Sequence, residues 1–313
     1  MSRVRTWVHR ADRWFIAPEP ERRLAIVLTL FSVALAIRIA LSPFASMAEI
    51  PAIQFDPPIF LLWLSSPPPV WAIVVLQAIG VAAGLCFAAR QRPHAAFVVA
   101  WLALLLLAGL RASRGKIMHP DTMILLACVP LLFAPRDTRR SGSRVGARYG
   151  LPLRTSMAVV AIIYFLTGYQ KLATSGIAWV TSDNLRWVMY RATNIYSGHA
   201  PGVARWVADR AWLCTLIALS TILFECGAPL TLAFRRLRPL LPIAATGFHT
   251  MIWFFYGLDY SMWIASTWIL FIEWDTVVDR LRRRVVRSRI TAFVPPVVHV
   301  RPPESRLRCC RRA

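Results

Sequence analysis

Lysine is almost missing from this chain. Two of its 37 basic residues, Lys116 and Lys171, are lysine, and the rest are arginine. Acidic residues are scarce as well, 15 against those 37, giving a formal net charge of +22. Charged residues make up 17 % of the chain, whereas a soluble domain carries about 25 %. That deficit excludes an ordinary soluble globular domain. The six cysteines contain no CxxC pair and no other metal-ligand spacing, so neither a disulfide framework nor a metal site is expected. Cys86, Cys128, Cys214 and Cys226 fall inside apolar runs, where a thiol acts as a small hydrophobe, and Cys309 and Cys310 sit in the basic tail. Internal repeats are also lacking, which argues against a transporter built from inverted repeats.

What is plentiful is apolar surface. Hydrophobic residues are 57 % of the chain and the mean hydropathy is +0.51. They are gathered into long runs with the arginines between them. Positive charge in that setting orients membrane spans and binds anionic headgroups, so membrane lipids are the expected partners and nucleic acid is not. Abundant arginine and alanine with little lysine points to a GC-rich bacterial genome, and so to a bacterial plasma membrane.

A span needs about 20 apolar residues, because the hydrocarbon core is about 30 Å thick and a helix rises about 1.5 Å per residue. The runs predict an all-α polytopic transmembrane bundle of about eight spans. These are Leu24–Leu41, Val70–Ala89, Ala95–Leu110, Met118–Ala134, Thr155–Leu172, Leu213–Phe234, Pro239–Leu258 and a short Tyr260–Ile272. Residues 1–23 read as a polar, amphipathic cytoplasmic segment rather than a cleavable signal peptide, residues 24–275 as the membrane domain, and residues 276–313 as a basic, partly disordered cytoplasmic tail.

Lysine and arginine alternate between the connecting segments. One side collects 28 and the other 7, with Arg38 and Lys171 left inside spans. The positive-inside rule then places both termini in the cytoplasm. Two outer loops are more than connectors. Ser42–Pro69 holds the short apolar run Ile59–Leu64, suited to the interface. Ala173–Trp212 carries Trp179, Trp187, Trp206 and Trp212 and two amphipathic helical patterns, one started by Asp183 and one opened by Pro201.

Ionisable groups inside spans are costly, about 2.5–3.5 kcal/mol each, and are functional candidates by default. Lys171 lies at the outer end of the fifth run. It reads either as a snorkelling lysine or as a partly desolvated base, a role that arginine cannot fill. His249, beside Gly247, reads as an interhelical hydrogen-bonding group or a proton donor. Glu225 must be protonated or paired, with Arg38 or His249 as expected partners, and Pro229 should kink its helix. Arg38 reads as an ion pair or an anion contact. His119 reads as an exposed loop residue, and Asp121 as a helix cap. By depth along the runs, Arg38, His119 and Lys171 fall near the outer face, while Glu225 and His249 lie about 15 Å deep. One outward-facing cavity holding Lys171, His249 and Glu225 is the resulting expectation.

The string Tyr164-Phe-Leu-Thr-Gly-Tyr-Gln-Lys-Leu172 followed by Trp179 resembles the vitamin K-dependent γ-carboxylase-like, or HTTM (horizontally transferred transmembrane), family. So does Phe224-Glu-Cys-Gly-Ala-Pro-Leu230 with His249 and an aromatic run to Tyr260-Ser-Met262. The likeness covers roughly residues 20 to 275. It implies that Lys171 matches the base that deprotonates a reduced quinone, with Gln170 where the family has a second lysine. It also sets His119 in the region of the family's Asn-His pair. The smaller DoxX-like family shares the Gly-x-x-Lys-Leu element but has four spans. A large lumenal substrate-holding domain has no counterpart, so protein carboxylation is not expected. The resemblance therefore implies proton-transfer chemistry on a quinone or other lipophilic molecule, with Lys171, His249 and Glu225 catalytic and Arg38, His119 and Trp179 contacting substrate. The alternative is a non-catalytic lipid-binding, lipid-moving or scaffolding protein.

Overall fold

The computed structural model describes residues 13–89, 93–115, 119–138, 142–195, 198–281 and 283. It divides into two units, Met1–Trp274 and Asp275–Ala313. The described part of the second unit, residues 275–281 and 283, is helical. The rest of the expected basic tail, Cys309 and Cys310, Lys116, and most of the amphipathic N-terminal segment lie outside the described residues.

The first unit is built almost entirely of helices. In chain order they are α1 (Glu21–Leu41), α2 (Val70–Ala88), α3 (Pro93–Ala112), α4 (Thr122–Cys128), α5 (Ala147–Ser175), α6 (Ala178–Thr181), α7 (Asn184–Ile195), α8 (Pro201–Ala208), α9 (Ala211–Gly227), α10 (Leu230–Ala233), α11 (Leu240–Tyr256) and α12 (Ser261–Phe271). Among the described residues, a single pair of two-residue strands, β1 (Glu19–Pro20) and β2 (Val145–Gly146), joins antiparallel at one end.

Among the described residues, four helices, in the segments of α1, α2, α3 and α5, are long and apolar enough to cross a membrane. The count rises to five if α8 and α9, bent by 100° at their junction, form one span. The other expected spans are shorter than their apolar runs, and local chemistry explains each stop. In the fourth run, Pro130 interrupts α4, which gives way to a 3₁₀ turn over Pro130–Phe133. In the sixth, α9 ends at Gly227 just ahead of Pro229, and the Glu225 carbonyl accepts from Ala228 instead of continuing the ladder. Gly257 adopts φ 65° and closes α11 with its N–H on the Trp253 carbonyl. After this turn α12 has only 11 residues, a rise of about 16 Å.

α12 nevertheless sits in the middle, packed on α1, α4, α5 and α11. Its buried side chains Trp263, Ile269, Leu270 and Phe271 join a core with Phe31, Leu35, Ile39, Leu104 and Tyr164. α1 and α2 approach through a Gly80-x-x-x-Gly84 pair, a spacing that presents small residues on one helix face. A Cβ on Gly84 would stand 2.8 Å from the Ser32 carbonyl oxygen and 2.9 Å from the Ala36 methyl. The Ser42–Pro69 segment folds back on α3. There Leu61 is buried and, with Phe60, covers Gly109, while Ile59, Leu62 and Trp63 stay exposed.

The candidate cavity between α9 and α11

Lys171 is placed by a stripe on α5. Tyr164, Thr167, Gly168 and Lys171 follow one another at helical spacing and face α9. Gly168 permits the approach: a Cβ there would lie 2.8 Å from both the Cys226 sulfur and Glu225 Cβ. Glu225 thus meets Lys171 directly. Lys171 Nζ donates to both carboxylate oxygens, each at 2.6 Å. The carboxylate is almost fully buried, with 4 % of its side chain exposed against 28 % for Lys171.

Lys171 also lines a cavity of about 540 Å³. α9 contributes Ile217, Ser220, Thr221 and Phe224, a stripe at i, i+3, i+4 and i+7. α11 faces it with Ala244, Gly247, Phe248 and Met251 at the same spacing. Trp179 of α6 and Leu185 and Met189 of α7 close the end beside the lysine. The Trp179 ring centroid is 5.5 Å from Lys171 Nζ, a cation–π contact. A Cβ on Gly247 would meet nothing within 4 Å, so this glycine borders open space. The walls are apolar apart from the lysine and the hydroxyls of Ser220, Thr221 and Tyr256. This is the pattern of a site for a mostly hydrophobic molecule with one polar group.

His249 does not face this cavity. It lies buried behind Tyr164, whose hydroxyl is 2.9 Å from His249 Nε2, and its ring stacks on Tyr260 at 5.0 Å. Its Nδ1 has no hydrogen-bond partner among the described residues. His249 instead lines a second cavity of about 250 Å³ with Thr250, Trp253, Asp259 and Tyr260. The single cavity expected for Lys171, His249 and Glu225 is not formed: Lys171 lines the large cavity, His249 lines the second, and Glu225 is buried and lines neither. Tyr164 carries no charge and so does not stand out within its apolar run, although its position two turns before Lys171 is a usable signal.

Arg38 is tied up elsewhere. It binds Asp121 at 2.5 Å and also Asp259, and Asp121 in turn takes Arg111 at 3.0 Å. The expected helix cap at Asp121 is thus corrected: its carboxylate bridges two guanidiniums and makes no capping bond. Glu225 pairs with neither of its expected partners, Arg38 or His249, because Lys171 reaches it first. Asp259 lies in the turn between α11 and α12. Burial pushes its carboxyl up, but the Ser261 N–H and the Arg38 guanidinium together hold it below the usual range. His119 is exposed, and its carbonyl accepts from the Trp263 indole. Among the candidate substrate contacts, only Trp179 lines the large cavity. No group of three metal-binding side chains occurs among the described residues.

No family model, no curated protein and no solved structure matches the chain.

Proposed function

We propose that this is a multi-pass membrane protein whose large cavity binds a lipophilic, hydroxyl-bearing ring compound of the quinol class and exchanges a proton with it. The observation that carries the reading is the Lys171–Glu225 pair, desolvated on one side and opening onto an apolar cavity on the other. Burying two charges is costly, so a neutral amine–carboxylic acid pair competes with the ion pair in such surroundings. In the neutral form Glu225 holds the shared proton and the Lys171 lone pair is free. The ligand O–H then breaks as an N–H bond forms on Lys171, with no change in oxidation state. Trp179 and Phe224 offer ring faces for the ligand. Tyr164 and His249 extend the hydrogen-bonded groups toward the second cavity. The likeness of the Gly168–Leu172 stretch to the HTTM and γ-carboxylase-like proteins agrees with this role for Lys171.

The same reading gives eight membrane segments with both termini in the cytoplasm of a bacterial cell. Two groups of contacts support it. Segments on the arginine-rich side of the alternation meet at one end, where Glu19 contacts Arg154 and Glu21 contacts Arg144. Segments on the arginine-poor side meet elsewhere, through Arg38 and Asp259, Asp56 and Ser113, and His199 and Phe254.

The test is binding followed by turnover. Ubiquinol and menaquinol are titrated into the purified chain while intrinsic tryptophan fluorescence, with Trp179→Phe as the reference, and oxygen consumption are followed. The quinolate left by proton loss passes two electrons to dissolved oxygen, giving quinone and hydrogen peroxide. Quenching in the wild type that is lost in Gly247→Phe, with turnover lost in Lys171→Met and Lys171→Arg, supports the proposal. Quenching without turnover favours a non-catalytic lipid-binding role, which the largely apolar lining also suits. Absence of both overturns the cavity reading.

A further inference from the structure

At the end of the bundle opposite Asp259, three guanidiniums crowd one carboxylate. Arg23 reaches Glu19 at 3.0 Å and Arg154 reaches it at 2.6 Å, so both Glu19 oxygens are occupied. Arg238 is buried, 7 % exposed, and its guanidinium forms no hydrogen bond or ion pair among the described residues. Its charged neighbours are Arg23, Arg154, Glu19 and Arg235. Arg235 is already matched by Glu273 at 2.6 Å. Two positive charges therefore remain uncompensated around Arg238.

The unmet hydrogen-bonding groups here share one polarity. The Nε atoms of Arg23, Arg154 and Arg238 and the indole N–H of Trp14 are all buried donors without acceptors. The Arg154 guanidinium stands 5.3 Å from the Trp14 ring centroid, which ties that indole to the cluster. Water could satisfy the donors, but it would not neutralise the charge. An unpaired buried cation is strongly destabilising, and arginine does not escape the penalty by giving up its proton. A tetrahedral oxyanion meets both needs, because guanidinium donors match its oxygens pairwise.

The geometry points to a phosphate-binding site formed by Arg23, Arg154 and Arg238, with Trp14 at its edge. Its ligand is a phosphate group that carries net negative charge, either the headgroup of an anionic phospholipid or free inorganic phosphate. The site is independent of the Lys171 cavity and does not depend on the quinol reading. On the charge alternation, its three segments all belong to the arginine-rich face, where anionic headgroups concentrate.

Native mass spectrometry of the full chain in detergent can test this with three additives: phosphatidylglycerol, phosphatidylcholine and inorganic phosphate. Phosphatidylglycerol should be retained over phosphatidylcholine by on the order of tenfold, the equivalent of one charge-assisted hydrogen bond. Arg238→Gln should abolish that preference. Arg235→Gln, which alters an already matched charge, should keep it. Phosphate that binds and raises the unfolding temperature, with no preference between the lipids, would identify free phosphate as the ligand. If the wild type shows neither the lipid preference nor phosphate binding, the proposal is overturned whether or not Arg238→Gln folds. It is also overturned if a folded Arg238→Gln binds as the wild type does.

Discussion

Lys171→Met would leave the Glu225 carboxylate buried against α5 with no counter-charge. Breaking a buried pair in this way costs about 3–5 kcal/mol, and the partial exposure of Lys171 places this one near the lower end. The double variant Lys171→Met/Glu225→Met should recover most of the loss, since it removes both charges at once. Thermal unfolding in detergent reads both, and equal stabilities for Lys171→Met and the wild type would exclude the pair. Asp259 carries a pH dependence. Its carboxyl is held below the ordinary value of about 3.9, so its contribution is complete above that value and is lost as pH falls through its folded value. Asp259→Asn should therefore lower the unfolding temperature by the same amount from pH 5 to pH 8, with the gap closing only in stronger acid. Lys171 and Glu225 were both legible in the sequence, because charge inside an apolar run is conspicuous. Their partnership was not. They lie 54 residues apart, and hydropathy does not say which helices are neighbours. The same blindness hid the Asp121 bridge, since an aspartate at a helix start looks like a cap whatever lies across from it.

Two glycines separate packing from function among the helices. Gly84→Leu would drive a side chain into the Ser32 carbonyl and the Ala36 methyl, and overpacking of this kind costs about 1–3 kcal/mol. Gly247 is the opposite case. It sits mid-helix against open space, so Gly247→Leu should stabilise α11 by roughly 0.5–1 kcal/mol while filling the cavity and weakening ligand binding. Comparing unfolding temperature with Trp179 quenching for the two variants checks both. If Gly247→Leu left binding intact, the ligand would lie elsewhere. The segments α1, α2 and α3 follow from their apolar runs with small changes at the ends, whereas α5 begins at Ala147, about two turns before its run. The shorter helices depart from theirs because hydropathy averages over Pro130, Gly227, Pro229 and Gly257. Those are the residues that end a backbone ladder, whatever the polarity around them.

For the molecule as a whole, the basic ends of the charge alternation make a labelling prediction. A cysteine placed at Ser66 should react with an impermeant maleimide in intact cells. One placed at Arg236 should react only after permeabilisation. Reversed labelling would invert the bundle, and labelling of both from outside would exclude an odd number of crossings between them. The flank of the large cavity has a further consequence. Ser220 of α9 and Met251 of α11 border it and are exposed on the outside of the bundle. With that flank facing hydrocarbon, a ligand would enter sideways from the acyl chains, and its supply would be set by its mole fraction in the bilayer. Half-saturation would then follow ligand per lipid. Diluting proteoliposomes in buffer would leave occupancy unchanged, whereas adding empty vesicles would drain it.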